Sequence, residues 1–438
     1  MSEAQTTLER WRERMRIRAG GLSGSGVFRY LAILGPGIIA AVAGDDAGGI
    51  ATYATAGSTY GYSLLWAMVI ITVGLFTVQE MVTRMGAVTG KGLSDLIRER
   101  FGVRWTAFAM LTLLIANAAT TISEFVGIAA ALELFGVSKY ISVPLMAVLM
   151  WWLVTKGSYR RVERVFLLMS TAFLAYIISM FLARPEWGAV ARSTAFPVIH
   201  PEASFLVMLM ALIGTTITPY MQIFQQSAIV DKGITVQDYD AARADMMTGV
   251  FLANFVAYSI IIATAATLFV NGIQIQTASD AAIALEPLAG PFAKYLFAIG
   301  LFGASTLAAG VLPLATSFSV CEAFGWQSGL DEDFTNARVF YSLFTGLLIL
   351  GALVTLIPGL PLFQLLVFVQ VINGLLLPIE LVFIMRLVND RDIMGGYVNG
   401  RLFNVVAWGT TIIIGTLSIA LIIIGFILPL FGINLGGS

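Results

Sequence analysis

The 438-residue chain contains a single cysteine and a single histidine. Cys321 can form no intramolecular disulfide, and His200, beside Pro201 in a polar stretch, has no second imidazole or thiol with which to build a Cys/His metal cluster. Charge is scarce as well: 12% of the residues are Asp, Glu, Lys or Arg, against about 25% in a soluble domain. The 25 basic and 26 acidic residues leave a net charge of −1, which excludes the basic excess of a nucleic-acid-binding surface. No nucleophile and base stand together in any recognisable pattern, so the chain reads as a non-enzyme with no bound cofactor.

What the chain has in quantity is apolar sequence: 58% of it is hydrophobic, and mean hydropathy is +0.87. Apolar runs of about 20 residues separated by short polar loops define a polytopic helical membrane protein. Eleven spans are expected, at 30–58, 62–83, 106–134, 140–156, 165–183, 205–230, 246–270, 291–325, 338–357, 361–386 and 403–431. The preceding residues 1–29 are arginine-rich, carry no A-x-A-like cleavage site, and read as a cytoplasmic amphipathic helix at the headgroups. Placing the N-terminus inside puts 21 of the 25 lysines and arginines on the cytoplasmic face, leaving Lys139, Arg184, Arg192 and Lys294 outside. That bias sets the expected topology in the inner (plasma) membrane, with the N-terminus cytoplasmic and the C-terminus outside.

Two spans are interrupted. The first carries "AGDDAGG", Ala43 to Gly49, and the sixth carries "GTTITPY", Gly214 to Tyr220. Pro219 removes a helix donor and crowds the preceding turn. The two breaks lie five spans apart, an odd number of crossings, so a five-helix unit repeated at that interval is inverted in the membrane. Interrupted segments in matching positions of two halves point to a midplane binding site of a secondary transporter. The expected units are 30–184 and 205–388, with 403–431 as a peripheral eleventh helix. At the first break Asp46 supplies a negative charge beside freed backbone carbonyls, which suits a cation. An aspartate capping the second half-helix or pairing with a buried arginine is the competing reading, and no lysine or arginine falls mid-span to serve as that partner. Thr215, Thr216 and Thr218 at the second break offer oxygen only, the ligand type of hard cations. Glu80, Glu124, Glu322 and Glu380 also fall within or at the ends of spans.

Beyond hydropathy, the chain resembles the Nramp family of divalent-metal transporters over nearly its whole length. "GPGIIAAVAGDDAGGIATYATAGSTYGYSLLW" is similar to the family's first-span signature, in which D-P-G-N precedes an A-T pair and an A-G-x-x-x-G-Y turn. "GAVTGKGLSDLIRERFG", "SEFVGIAAAL", "IALEPLAG" and "DRDIMGGYVNGR" resemble further family segments in order. The resemblance implies the LeuT-type inverted repeat. It places the motif aspartate at Asp46, the proline at Ala47, the glycine at Gly48 and the metal-binding asparagine at Gly49. In the sixth span it places the metal-binding methionine at Thr218, the proline at Pro219 and a histidine associated with proton transfer at Tyr220. The third-span D-x-x-E pair falls on Thr121 and Glu124, and a tenth-span glutamine that approaches the ion falls on Gln370.

The departures from the family pattern shape the functional expectation. Loss of the asparagine and methionine leaves one carboxylate, carbonyls and hydroxyls, as in the Nramp-related magnesium transporter branch. Mg²⁺ dehydrates reluctantly and keeps several waters, which a roomy oxygen-lined cavity accommodates. The implied site is Asp46, Gly49, Thr215, Thr218 and Gln370, with Ala43, Asp45, Thr121, Glu124 and Tyr220 lining it or its access path. Loss of the histidine and one acid argues against proton coupling. A divalent ion moving inward across 100 mV gains about 4.6 kcal/mol, enough to drive uptake alone. The expectation is therefore an uncoupled importer of Mg²⁺, passing Mn²⁺ as well, that needs the bilayer but no obligatory protein partner. A proton-coupled Mn²⁺/Fe²⁺ symporter is the first alternative, and an amino-acid symporter on the same scaffold the second.

Overall fold

The structure, a computed structural model, describes residues 46–155, 168–169, 171–200, 202–327 and 335–424. Ala43 and Asp45, the residues before them and the end of the eleventh expected span lie outside the described residues.

Among the described residues the chain is helical throughout. The helices of eight residues or more are α1 (Ala47–Tyr60), α2 (Leu65–Thr89), α3 (Leu93–Glu133), α4 (Lys139–Thr155), α5 (Ala175–Leu182) and α6 (Trp187–Ala195). They continue with α7 (Ala203–Thr216), α8 (Pro219–Asp231), α9 (Tyr239–Thr267), α10 (Ala293–Phe324), α11 (Arg338–Thr355), α12 (Leu362–Val388) and α13 (Arg401–Ile422). Among the described residues eight stretches are long and apolar enough to cross a membrane, α7 and α8 counting together as one, and α4 and the segment Thr171–Leu182 are shorter apolar helices.

Most expected spans map onto one helix each. The third differs in a physically informative way. A straight helix of 41 residues would measure about 60 Å, twice the hydrocarbon core. Gly102, at φ 77°, breaks it, a backbone angle that a side chain resists. The first nine residues then form a separate amphipathic segment: Leu93, Leu96 and Ile97 are buried, while Glu99 and Arg100 are exposed.

Helix α10 lies along α3, α11 packs on both of them and α4 packs on α3 and α11; α12 packs on α3 and α7, α9 packs on α1 and α2, and α8 packs on α2. The helices are apolar around their whole circumference because each meets protein on one side and lipid on the other. Helix α13 rests on α12 and leaves Val405, Ile412, Ile413 and Ile419 exposed, as expected of a peripheral helix.

On the face richest in arginine, loops are tied to helices by charge. Arg84 of α2 pairs with Glu80 one turn earlier at 3.1 Å and donates to the carbonyl of Tyr397 at 2.9 Å and to Asn399. Tyr239 donates its hydroxyl to Glu80, which places this acid in a structural network away from the breaks. Arg100 pairs with Asp390 at 2.5 Å.

Candidate ion-binding centre

The second expected interruption is present and narrower than the sequence motif, and at the first the described residues open on Asp46 at the start of a helix. Helix α7 continues through Gly214, Thr215 and Thr216, and only Ile217 and Thr218 separate it from α8, which begins on Pro219. The proline therefore starts a helix instead of sitting inside the gap; at the first helical position its missing N–H costs nothing and its fixed φ suits the helix. At the other break Asp46 is the cap of α1, so Gly48 and Gly49 lie in the first helical turn and not on unwound chain.

Asp46 accepts a hydrogen bond from Gly49 N at 2.5 Å through Oδ1, so the capping reading describes this conformation. Capping engages one oxygen. Gln370 of α12 reaches the same carboxylate, its Nε2 donating at 3.4 Å to Oδ1 and 3.5 Å to Oδ2. The two residues are 1% and 0% exposed. Among the described residues the hydrogen-bond partners of the Asp46 carboxylate are Gly49 and Gln370.

Two glycines allow this meeting. A Cβ added at Gly48 would sit 1.9 Å from Gln370 Nε2, and one added at Gly214 would sit 2.0 Å from Gln370 O and 2.4 Å from Gly374 N. Gln370 is thus wedged between the two breaks, touching Asp46 with its amide and α7 with its backbone. Its orientation is held from behind: Asn373 Nδ2 donates to Gln370 Oε1 at 2.9 Å and to Thr120 Oγ1 at 3.0 Å. Asn373 and Thr120 escaped the sequence reading. The spacing of Gln370 and Asn373, three residues apart on one helix face, was the available signal.

The hydroxyls of Thr215 and Thr218 are buried with no hydrogen-bond partner. Buried polar atoms are ordinarily satisfied, so orphans facing a break mark a place for water or a ligand. Thr216 is engaged instead, bonded to Tyr53 OH at 3.0 Å. The last carbonyls of α7 also lack intrahelical acceptor duty, and a half-helix C-terminus favours a cation.

Glu124 of α3 approaches from the third side: its Oε2 accepts from Ala47 N at 3.5 Å, and its Oε1 is buried without a partner. Thr121 is drawn away from such a role, since its hydroxyl donates to Asn117 O at 2.7 Å. Tyr220 is 4% exposed and packs with Met221 against Ala308 and Leu312 of α10. Among the described residues no group of three or more His, Cys, Asp or Glu is arranged to hold a metal ion. The site therefore joins Asp46, Gly49 and Gln370, sets Thr215 and Thr218 at the adjoining break, and holds Glu124 one residue beyond the cap.

A helix capped by a buried carboxylate, set beside a second helix broken at Ile217 and Thr218 and joined to it through Gln370, fits an inverted-repeat membrane transporter. The chain matches the family model described as "Natural resistance-associated macrophage protein-like" over residues 37–424, and it belongs to that family, Nramp. It is 29% identical over 407 residues, 89% of each chain, to a protein named divalent metal cation transporter MntH from Deinococcus radiodurans. The fold is similar to that of the Eremococcus coleocola manganese transporter in complex with an aromatic bis-isothiourea substituted compound, with a TM-score of 0.73 at 21% identity over 94% of this chain and 90% of the other. It is also similar to Mhp1, a nucleobase-cation-symport-1 family transporter, with a TM-score of 0.54 at 15% identity over 89% and 92%. The architecture is the LeuT-type fold, all-α, a 5+5 inverted repeat with interrupted helices 1 and 6, and the protein is a membrane transporter and not an enzyme.

Proposed function

We propose that the chain carries divalent metal cations across the plasma membrane by alternating access, taking Mg²⁺ as a largely hydrated ion and passing Mn²⁺ as well, without proton coupling. In this reading Asp46 is the charged ligand, Thr215 and Thr218 contact the ion or its water, and Gln370 closes over it. The units 30–184 and 205–388 are the two repeats, and the arginine-rich face is cytoplasmic.

The observation that carries the reading is the donor set. One carboxylate keeps an oxygen beyond its capping bond, two buried hydroxyls stand unpartnered, and Gly49 contributes no side chain. One carboxylate with waters is how Mg²⁺ is usually held, whereas a thioether or imidazole would select softer ions. The names of the relatives support divalent cations, and manganese in particular.

Glu124 keeps the proton-coupled Mn²⁺/Fe²⁺ symporter as a second reading, because an acid with one free oxygen next to the centre is able to carry a proton. The amino-acid symporter loses ground. In that mechanism the amides opening α1 bind a substrate carboxylate, but Gly49 N already donates to Asp46 and Ala47 N to Glu124. Ion flux into proteoliposomes, with Mg²⁺ and Mn²⁺ tested separately and internal pH followed, distinguishes all three.

A further inference from the structure

Glu380 lies on α12 ten residues, close to three helical turns, beyond Gln370, and no role in the ion-binding centre involves it. Both of its carboxylate oxygens are buried without a hydrogen-bond partner. They border a cavity of about 20 Å³ walled by Ile97, Met110, Leu113, Pro219, Ile223 and Phe383. The hydroxyl of Thr112, also at this cavity, spends its proton on Ala109 O at 2.8 Å. A space of this size admits about one water.

Among the described residues no counter-charge is paired with the acid. On α3, Arg98 donates to Ala323 O, Arg100 pairs with Asp390, Glu99 pairs with Lys91, and Arg104 is exposed. Asp95, on the same segment, faces Lys91, Arg98 and Glu99. On α2, Glu80 and Arg84 pair with each other. Asp231 of α8, Arg386 of α12 and Arg401 of α13 are exposed, α7 carries no charge, and Arg391 and Asp392 are exposed in the short helical turn Arg391–Met394 beyond α12.

A carboxylate anion without donor, cation or room for a hydration shell is strongly disfavoured. The walls belong to three helices: α3, on both sides of its break at Gly102, α12, and α8, the half-helix that opens on Pro219. Separation of α8 from α3 and α12 would open this cavity to water.

We propose that Glu380 is a proton-binding site, distinct from the ion-binding centre, that holds a proton while α8 is packed against α3 and α12 and releases it when α8 moves away. Alkaline conditions on the arginine-rich face then favour the separated arrangement and acidic conditions the packed one, so pH sets the balance of conformations without a proton travelling with the ion. The site does not depend on which divalent ion is carried.

The direct test is infrared difference spectroscopy of the purified protein between neutral and alkaline pH, alongside pH profiles of Mn²⁺ uptake with equal pH on both sides of the membrane. The wild type is expected to lose a protonated-carboxyl C=O band on alkalinisation and to show a pH-dependent rate. E380Q should lack that band and lose the alkaline limb of the profile while keeping flux. E380L, which suits the apolar cavity, should show the same losses and serves if E380Q does not fold. An unchanged band and an unchanged profile in either folded variant overturn the proposal.

Discussion

Gln370 donates from one helix to both carboxylate oxygens of Asp46 at the cap of another, at 3.4 and 3.5 Å, across 324 residues of sequence. Both contacts are long for hydrogen bonds to a charged acceptor, which run near 2.7–2.9 Å. In the proposed site an ion arriving at Asp46 would displace weak partners and leave the 2.5 Å cap from Gly49 in place.

Asp46→Asn separates the cap from the charge. Asparagine caps helices about as well as aspartate, so the variant should match wild-type thermal stability and lose divalent-ion flux. Asp46→Ala should lose flux and about 0.5–2 kcal/mol of stability. Wild-type uptake by the asparagine variant would remove Asp46 from the ion site.

Gly48→Ala tests the approach of Gln370. The added Cβ would stand 1.9 Å from Nε2, so Gln370 must swing off Asp46, with an overpacking cost of about 1–3 kcal/mol. Reduced flux with retained folding is expected, and Gln370→Ala in the Gly48→Ala background should restore stability but not transport.

Thr218→Met with Gly49→Asn returns a soft ligand and an amide to the centre and reduces its room. Competition assays should shift preference from Mg²⁺ toward Mn²⁺ and other transition metals. Unchanged Mg²⁺ flux would contradict the role given to cavity size.

Arg84→Ala leaves Glu80, 5% exposed, without its cation. Removing one partner of a buried pair costs about 3–5 kcal/mol, so a thermal melt should fall well below wild type. Pairing it with Glu80→Leu should recover much of the loss, and a melt equal to wild type in Arg84→Ala would contradict the network.

Much of this was legible in the sequence because membrane helices advertise themselves by hydropathy, and a proline or paired carboxylates inside an apolar run mark an interrupted helix. The break at Ile217 and Thr218 was placed within a few residues on that basis. Its edge was not, because Gly214 to Thr216 are weak helix formers that tertiary packing against Gln370 keeps helical. Thr121 illustrates the opposite limit: its hydroxyl satisfies a carbonyl of its own helix, an outcome that residue type does not reveal. Nor could the sequence show that Asn373 and Thr120 orient Gln370, since that contact joins α12 to α3 across 253 residues. Glu80 and Glu380 look alike in an apolar run, and only packing shows one paired with arginine and the other alone.

The central claim is most directly tested by Mg²⁺ flux into proteoliposomes under an inside-negative potential with a pH dye enclosed. The account predicts Mg²⁺ accumulation without acidification of the lumen, and Mn²⁺ entry that likewise leaves internal pH unchanged. Mn²⁺ entry accompanied by acidification, with no Mg²⁺ flux, would contradict it.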